Sequence, residues 1–225
     1  MRWLVAISMV LACGSARCDE AADPPDIVVV MHRSQQLRLD AMTPAVRDNP
    51  RTLRLRESFG ALVRSLRAPA SMELHVVRGG SVAETLHGRI VVAHEALGDL
   101  AEGERLFILA HEIGHVMLGH WPQVGFLYRR WIPGRVTEEL TDAIAEPLGR
   151  EASALAHRQE FEADAFGLRA VRALGGAEQD ALAALMTLGV RARSPTHPGT
   201  NQRLAALRRA EPELVQANAL ARNEH

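Results

Sequence analysis

The feature that most constrains this chain is a stretch near its middle, Ala101 to Leu118, which carries His111-Glu112-Ile113-Gly114-His115 among strongly apolar neighbours. Glu102 and Glu104 fall in its first turn, where the dipole favours acid, and the spacing predicts a helix over 101–118. Histidines at i and i+4 stand one turn apart on one helix face, so both imidazoles can reach a single ion. Glu112 lies about 100° round the wheel, beside the ion, where it can take a proton from an attacking water. A further ligand has to come from elsewhere in the chain.

Glu160-Phe161-Glu162-Ala163-Asp164 supplies one. A second helix is predicted over 150–174, stopped by Gly175-Gly176. Glu160 and Asp164 share a face of it, with the small residues Ala156, Ala163 and Gly167 on or near that face, which lets two helices approach closely. Alone, the two acids would suit a solvated face. Coupled to the histidine helix, Glu160 completes a His2Glu set for zinc with a fourth position open, and Asp164 is placed to hold the free N–H of a ligating histidine. Glu162 is rotated by about 200° and should face away.

Thr196-His197-Pro198 forms a third element. A histidine locked before proline can hydrogen-bond a developing oxyanion, or act as a fourth ligand that blocks water. Arg203 can hold a substrate carbonyl or carboxylate, or cap the loop by pairing with an acid. His120 lies about 140° from His115 on a continuous wheel, so it is expected to be a helix C-terminal cation. His157 is expected to be a neighbouring surface histidine. Trp121, Phe126, Tyr128 and Trp131 can form a lid or lipid surface, with core packing the simpler expectation.

Composition removes other chemistries. No lysine occurs, which excludes a P-loop lysine, a Schiff base and a Ser-Lys dyad. The two cysteines are Cys13 and Cys18, so no thiol site or internal disulfide follows residue 18. A net charge of -1 over 225 residues gives no bulk attraction to nucleic acid or anionic membranes. Met1-Arg2 and the apolar run Trp3 to Ala12 suit a signal peptide, being too short to span a bilayer. Cleavage is expected after Ala16, with lipid attachment at Cys13 as the alternative.

The remaining chain reads as one mostly helical α+β domain with a small sheet. Asp26 to Met31 suggests a strand, Asn49-Pro50 opens a helix to about Arg67, and Met72 to Val77 and Arg89 to Ala93 read as strands joined by an irregular segment. Residues 120–149 look less regular. Two shorter helices are expected over 178–188 and 200–210.

His111-Glu112-Ile113-Gly114-His115, Glu160-Phe161-Glu162-Ala163-Asp164 and His197-Pro198 with Arg203, in this order, resemble the M48 family of zinc metallopeptidases. That group includes CAAX-prenyl endopeptidases, heat-shock membrane proteases and periplasmic assembly-quality proteases. The resemblance covers about residues 50 to 210 and departs from the family at Ala156-His157, where Ser-Arg is frequent, and at Ser81-Val82 and Leu86-His87-Gly88. It implies a zincin-like metallopeptidase domain, expected over 23–214, after the leader and linker read from residues 1–22 and before a tail over 215–225. It further implies one Zn2+ per chain on His111, His115 and Glu160, Glu112 as catalytic base, Asp164 behind the ligands, and His197 and Arg203 near substrate. The strand Arg89 to Ala93 resembles the family's edge strand, along which an extended peptide would pair. The implied protein is an exported endopeptidase acting on protein or peptide substrates in the periplasm or outside the cell, without a transmembrane helix in the mature chain and without nucleic acid. Two alternatives stand beside it. One is a non-proteolytic zinc-binding or chaperone-like module closed by His197; the other is a zinc peptidase of another HExxH branch.

Overall fold

The computed structural model describes residues 26–79 and 82–209, so the expected leader, both cysteines, Ser81 and the tail at 215–225 lie outside the described residues. The first element corrects an expectation. Asp26 to Met31 does not form a strand; it opens helix α1 (Ile27–Asp40). The Asp26 carboxylate accepts a hydrogen bond from Val28 N at 2.8 Å and caps the helix. The β-branched residues fill only the first turn, and the Gln-, Arg- and Leu-rich remainder carries the propensity of the whole window to helix.

The sheet has four strands, β1 (Thr43–Pro44), β2 (Glu73–Arg78), β3 (Ala83–Leu86) and β4 (Ile90–His94), in the order β1-β2-β4-β3. β2 and β4 are parallel and the other pairs antiparallel. The strand expected at Arg89 to Ala93 is therefore interior, and the edge beside the helix that carries His111 and His115 is β3, which lies in the segment read as irregular. Ile90, Val91, Val92 and Ala93 are all buried, the continuous apolar run of a strand covered on both faces. Val76, Val91 and Ala93 face the main core, while Leu39 and Met42 cover Val77, Leu86, Ile90 and Val92 on the other face.

Helix α2 (Pro50–Leu66) starts as expected, with Asn49 Oδ1 accepting from Arg51 N at 3.0 Å and proline at its first position. Its buried face, Leu55, Phe59 and Leu62, packs on a 3-10 turn (Glu95–Asp99) and on α3 (Glu102–Met117). Contact with the turn is close at Gly98, where a Cβ would lie 2.5 Å from the Arg51 carbonyl oxygen and 2.7 Å from its Cα. Gly98→Ala is expected to destabilise the fold by about 1–3 kcal/mol. Gly149→Ala, at an exposed helical position where nothing lies within 4 Å, should stabilise it by about 0.5–1 kcal/mol. Chemical denaturation of the two variants measures both; a loss at Gly149 or none at Gly98 would contradict the packing described.

α3 is buried from Arg105 to Gly114 and forms the centre of the molecule. Residues 120–149 are far more regular than expected. They contain α4 (His120–Trp131) and the beginning of α5 (Glu138–Ala173), a helix of 36 residues that begins well before Arg150. Prolines disguise this region. Pro122 sits in the first turn of α4, where a missing N–H is tolerated, and Pro147 stands inside α5. The interior proline is carried by packing, since Leu148 joins Ile27, Leu127 and Ile132 in a second apolar cluster, with Ile144 and Leu155 alongside.

The aromatic residues divide. Tyr128 and Trp131 pack on that cluster, Trp121 stands edge-on to His32, and Phe126 is 71% exposed. Helix α6 (Glu178–Thr187), a loop and a last described helix over 200–209 close the core against α3 and α5. Among the described residues no helix is long and apolar enough to cross a membrane.

Candidate metal centre

α3 and α5 approach closely where their residues are small. Ala163 is fully buried, and a Cβ on Gly167 would lie 3.3 Å from His111 N. This contact brings Glu160 opposite the two histidines. His115 Nε2 lies 3.2 Å from His111 Nε2 and 3.4 Å from Glu160 Oε1, while His111 Nε2 lies 3.6 Å from Glu160 Oε2. A tetrahedral zinc with bonds of about 2.0–2.1 Å sets its donor atoms about 3.3–3.4 Å apart. Glu160 Oε2 is buried without a hydrogen-bond partner, an orphan that a cation would satisfy. The three residues therefore fit a zinc ion in both spacing and chemistry.

Behind the donors lies a charged layer. Asp164 Oδ1 is 3.0 Å from His111 Nδ1, which leaves His111 Nε2 free to face the ion. Arg203 grips the same carboxylate twice, Nε to Oδ2 at 2.8 Å and NH2 to Oδ1 at 2.6 Å, and its NH1 lies 3.4 Å from Glu160 Oε2. The guanidinium thus makes the expected pairing with acids, its partners being Asp164 and Glu160, and it also lines the cleft. Burial opposes ionisation of both acids, yet both are held below the usual carboxylate range: Glu160 by the charge of His111, the hydrogen bond of His115 and the charge of Arg203, Asp164 by hydrogen bonds from Arg203 and His111. Burial also pulls His111 downward, but Asp164 and Glu160 raise it above its ordinary value.

In front of the donors opens a cleft of about 820 Å³, lined by Val82 to Thr85, Glu112, His197 and Pro198 among others. Thr85 Oγ1, on β3, lies 2.9 Å from Glu112 Oε2 and 2.9 Å from the Glu112 carbonyl oxygen. The edge strand and the carboxylate beside the metal site are thereby joined directly. His197 stands at the rim, its side chain 59% exposed and its Nε2 3.7 Å from Glu160 Oε1. Its Nδ1 is 2.9 Å from Thr196 Oγ1, and it does not join the three converging donors.

The sequence model of peptidase family M48 matches residues 51–127 and 139–211, which include every residue of this site. The chain belongs to peptidase family M48. Its cofactor is zinc, with His111, His115 and Glu160 as the candidate ligands, and its substrates as a peptidase are proteins. No curated protein matches the chain.

Two histidines of this M48 domain differ from expectation. His157 is buried, and its Nε2 donates to the Ser194 carbonyl at 2.7 Å, pinning the loop that carries His197 to α5. His120 is not a helix C-terminal cation. α3 stops at Met117, Gly119 adopts φ +65°, and His120 begins α4 turned back toward the site, with Nδ1 2.8 Å from His115 Nδ1. Burial, together with the charges of His115 and His111, lowers its pKa to about 4, so it is neutral. Gly119 is the signal that could have found it, because a glycine at a helix end marks a break in the wheel. Thr85 was also missed, since nothing local in the sequence couples it to Glu112.

Proposed function

We propose that this chain is an exported zinc endopeptidase that cuts protein substrates held in extended form along β3. The observation that carries this reading is the convergence of the His111, His115 and Glu160 donor atoms on the floor of an open cleft, with Glu112 lining the same cleft and a free strand edge as its wall. When bound, zinc supplies a Lewis acid for the scissile carbonyl and lowers the pKa of water toward about 7. Glu112, held by Thr85, accepts the proton of the attacking water and returns it to the leaving amine. His197, with Nδ1 fixed by Thr196, donates from Nε2 to the carbonyl oxygen as it gains charge. Arg203 stays beneath the ligands and keeps Glu160 and Asp164 ionised.

Backbone pairing along β3 gives affinity with little sequence preference, which suits clearance of misfolded proteins in the cell envelope. The apolar run Trp3 to Ala12 and the small residues after it support export. A non-proteolytic module closed by His197 is less well supported, because His197 stands outside the converging donors.

The test is zinc content and casein hydrolysis on the full chain expressed in a bacterium. One zinc per chain is expected, with internal cleavage that chelation abolishes and zinc restores. Absence of zinc, or zinc without cleavage, would overturn the enzymatic reading. Intact mass of the envelope fraction should show a chain cut after Ala16 or lipid-modified at Cys13. An uncut chain confined to the cytosol would refute export alone.

A further inference from the structure

His120 and Glu162 are outside the three converging donors, yet they complete a line of side chains ending on one candidate ligand. His115 directs Nε2 at His111 Nε2 and Glu160 Oε1, so the lone pair that meets a cation is on Nε2 and the ring proton on Nδ1. That Nδ1–H faces His120 Nδ1 at 2.8 Å. A nitrogen that accepts there leaves the His120 proton on Nε2, which lies 3.2 Å from Glu162 Oε2. The opposite assignment would set two N–H groups against each other. His120 is itself fixed, being 3% exposed and accepting at its carbonyl from Gln159 Nε2 at 3.2 Å.

We infer that His120 is a positioning residue of the metal centre: it accepts the Nδ1 proton of His115, fixing that ring's tautomer and orientation, while Glu162 holds His120 from the far side. The two histidine ligands are then both held through Nδ1, His111 by a carboxylate directly and His115 by a carboxylate acting through an intervening imidazole. This rests on the zinc peptidase reading.

Zinc affinity of the full chain, measured by competition with a chromophoric chelator, tests it. His120→Ala should weaken zinc binding by about 10–100-fold. His120→Asn, whose side-chain oxygen can accept in place of Nδ1, should restore it to within about threefold. His120→Phe fills the site without an acceptor and should behave like alanine, which serves if the smaller variant does not fold. Glu162→Ala, at a side chain 43% exposed, should give a smaller loss of about threefold without changing the fold. Wild-type affinity in His120→Ala or His120→Phe would overturn the assignment, as would an asparagine variant no better than alanine, which is the signature of packing alone. A wild-type chain that binds no zinc would overturn the peptidase reading and the relay with it.

Discussion

Replacing Glu112 by glutamine is expected to lower peptide hydrolysis by about 10²–10⁴-fold while one zinc remains bound. The magnitude follows from the role, since a positioned general base contributes about 10²–10⁴-fold, and glutamine cannot take up the proton. Zinc should be retained because Glu112 is not among the converging donors, and glutamine has nearly the same shape. The amide oxygen can still accept from Thr85, so the surroundings of α3 need not move. Turnover above about a tenth of wild type would exclude Glu112 as the base. Loss of zinc in the variant would instead mean that the carboxylate helps to hold the ion. Steady-state kinetics on a fluorogenic peptide, with metal analysis of the same preparations, separates these results.

The second large effect is on stability. Arg203→Met should destabilise the chelated protein by about 3–5 kcal/mol, because it leaves Asp164 and Glu160 buried without their cation. For a domain of this size that corresponds to a melting temperature lower by roughly 6–20 °C. The pH dependence has a defined sign. Both carboxyls titrate lower in the folded chain than when unfolded. Their contribution is therefore fully present above the unfolded values of about 3.9 and 4.3 and is lost as pH falls through the folded ones. The gap between wild type and variant should be full at neutral pH and narrow below about pH 4. A gap that is absent at neutral pH, or that widens in acid, would count against the guanidinium as their counter-charge.

What could be read from the sequence depended on the range of the interaction. His111 with His115, and Glu160 with Asp164, are pairs one helical turn apart, and a wheel places them without knowledge of the fold. The close approach of α3 and α5 was likewise visible in Ala163 and Gly167. His120 failed the same wheel because Gly119 ends it, although His120 lies only five positions beyond His115. The resemblance to M48 placed Arg203 near the substrate, and Arg203 does line the cleft, but its pairing with Asp164 and Glu160, distant in sequence, became clear only in the fold. α1 was misread because its β-branched residues crowd one end, and β3 because four residues with a single fully buried apolar side chain leave almost no pattern. The prolines at 122 and 147 hid two helical segments whose stability comes from packing in the second apolar cluster.

The length of α5 has a mechanical consequence. At 1.5 Å per residue its 36 residues make a rod of about 54 Å. Its N-terminal half, through Leu148 and its neighbours, is embedded in the cluster formed with α1 and α4; its C-terminal half carries Glu160 and Asp164. Leu148 and Glu160 are thus about 18 Å apart along one helix, so a partner that shifts the packing of the α1–α4 cluster would shift the element that carries the metal carboxylate.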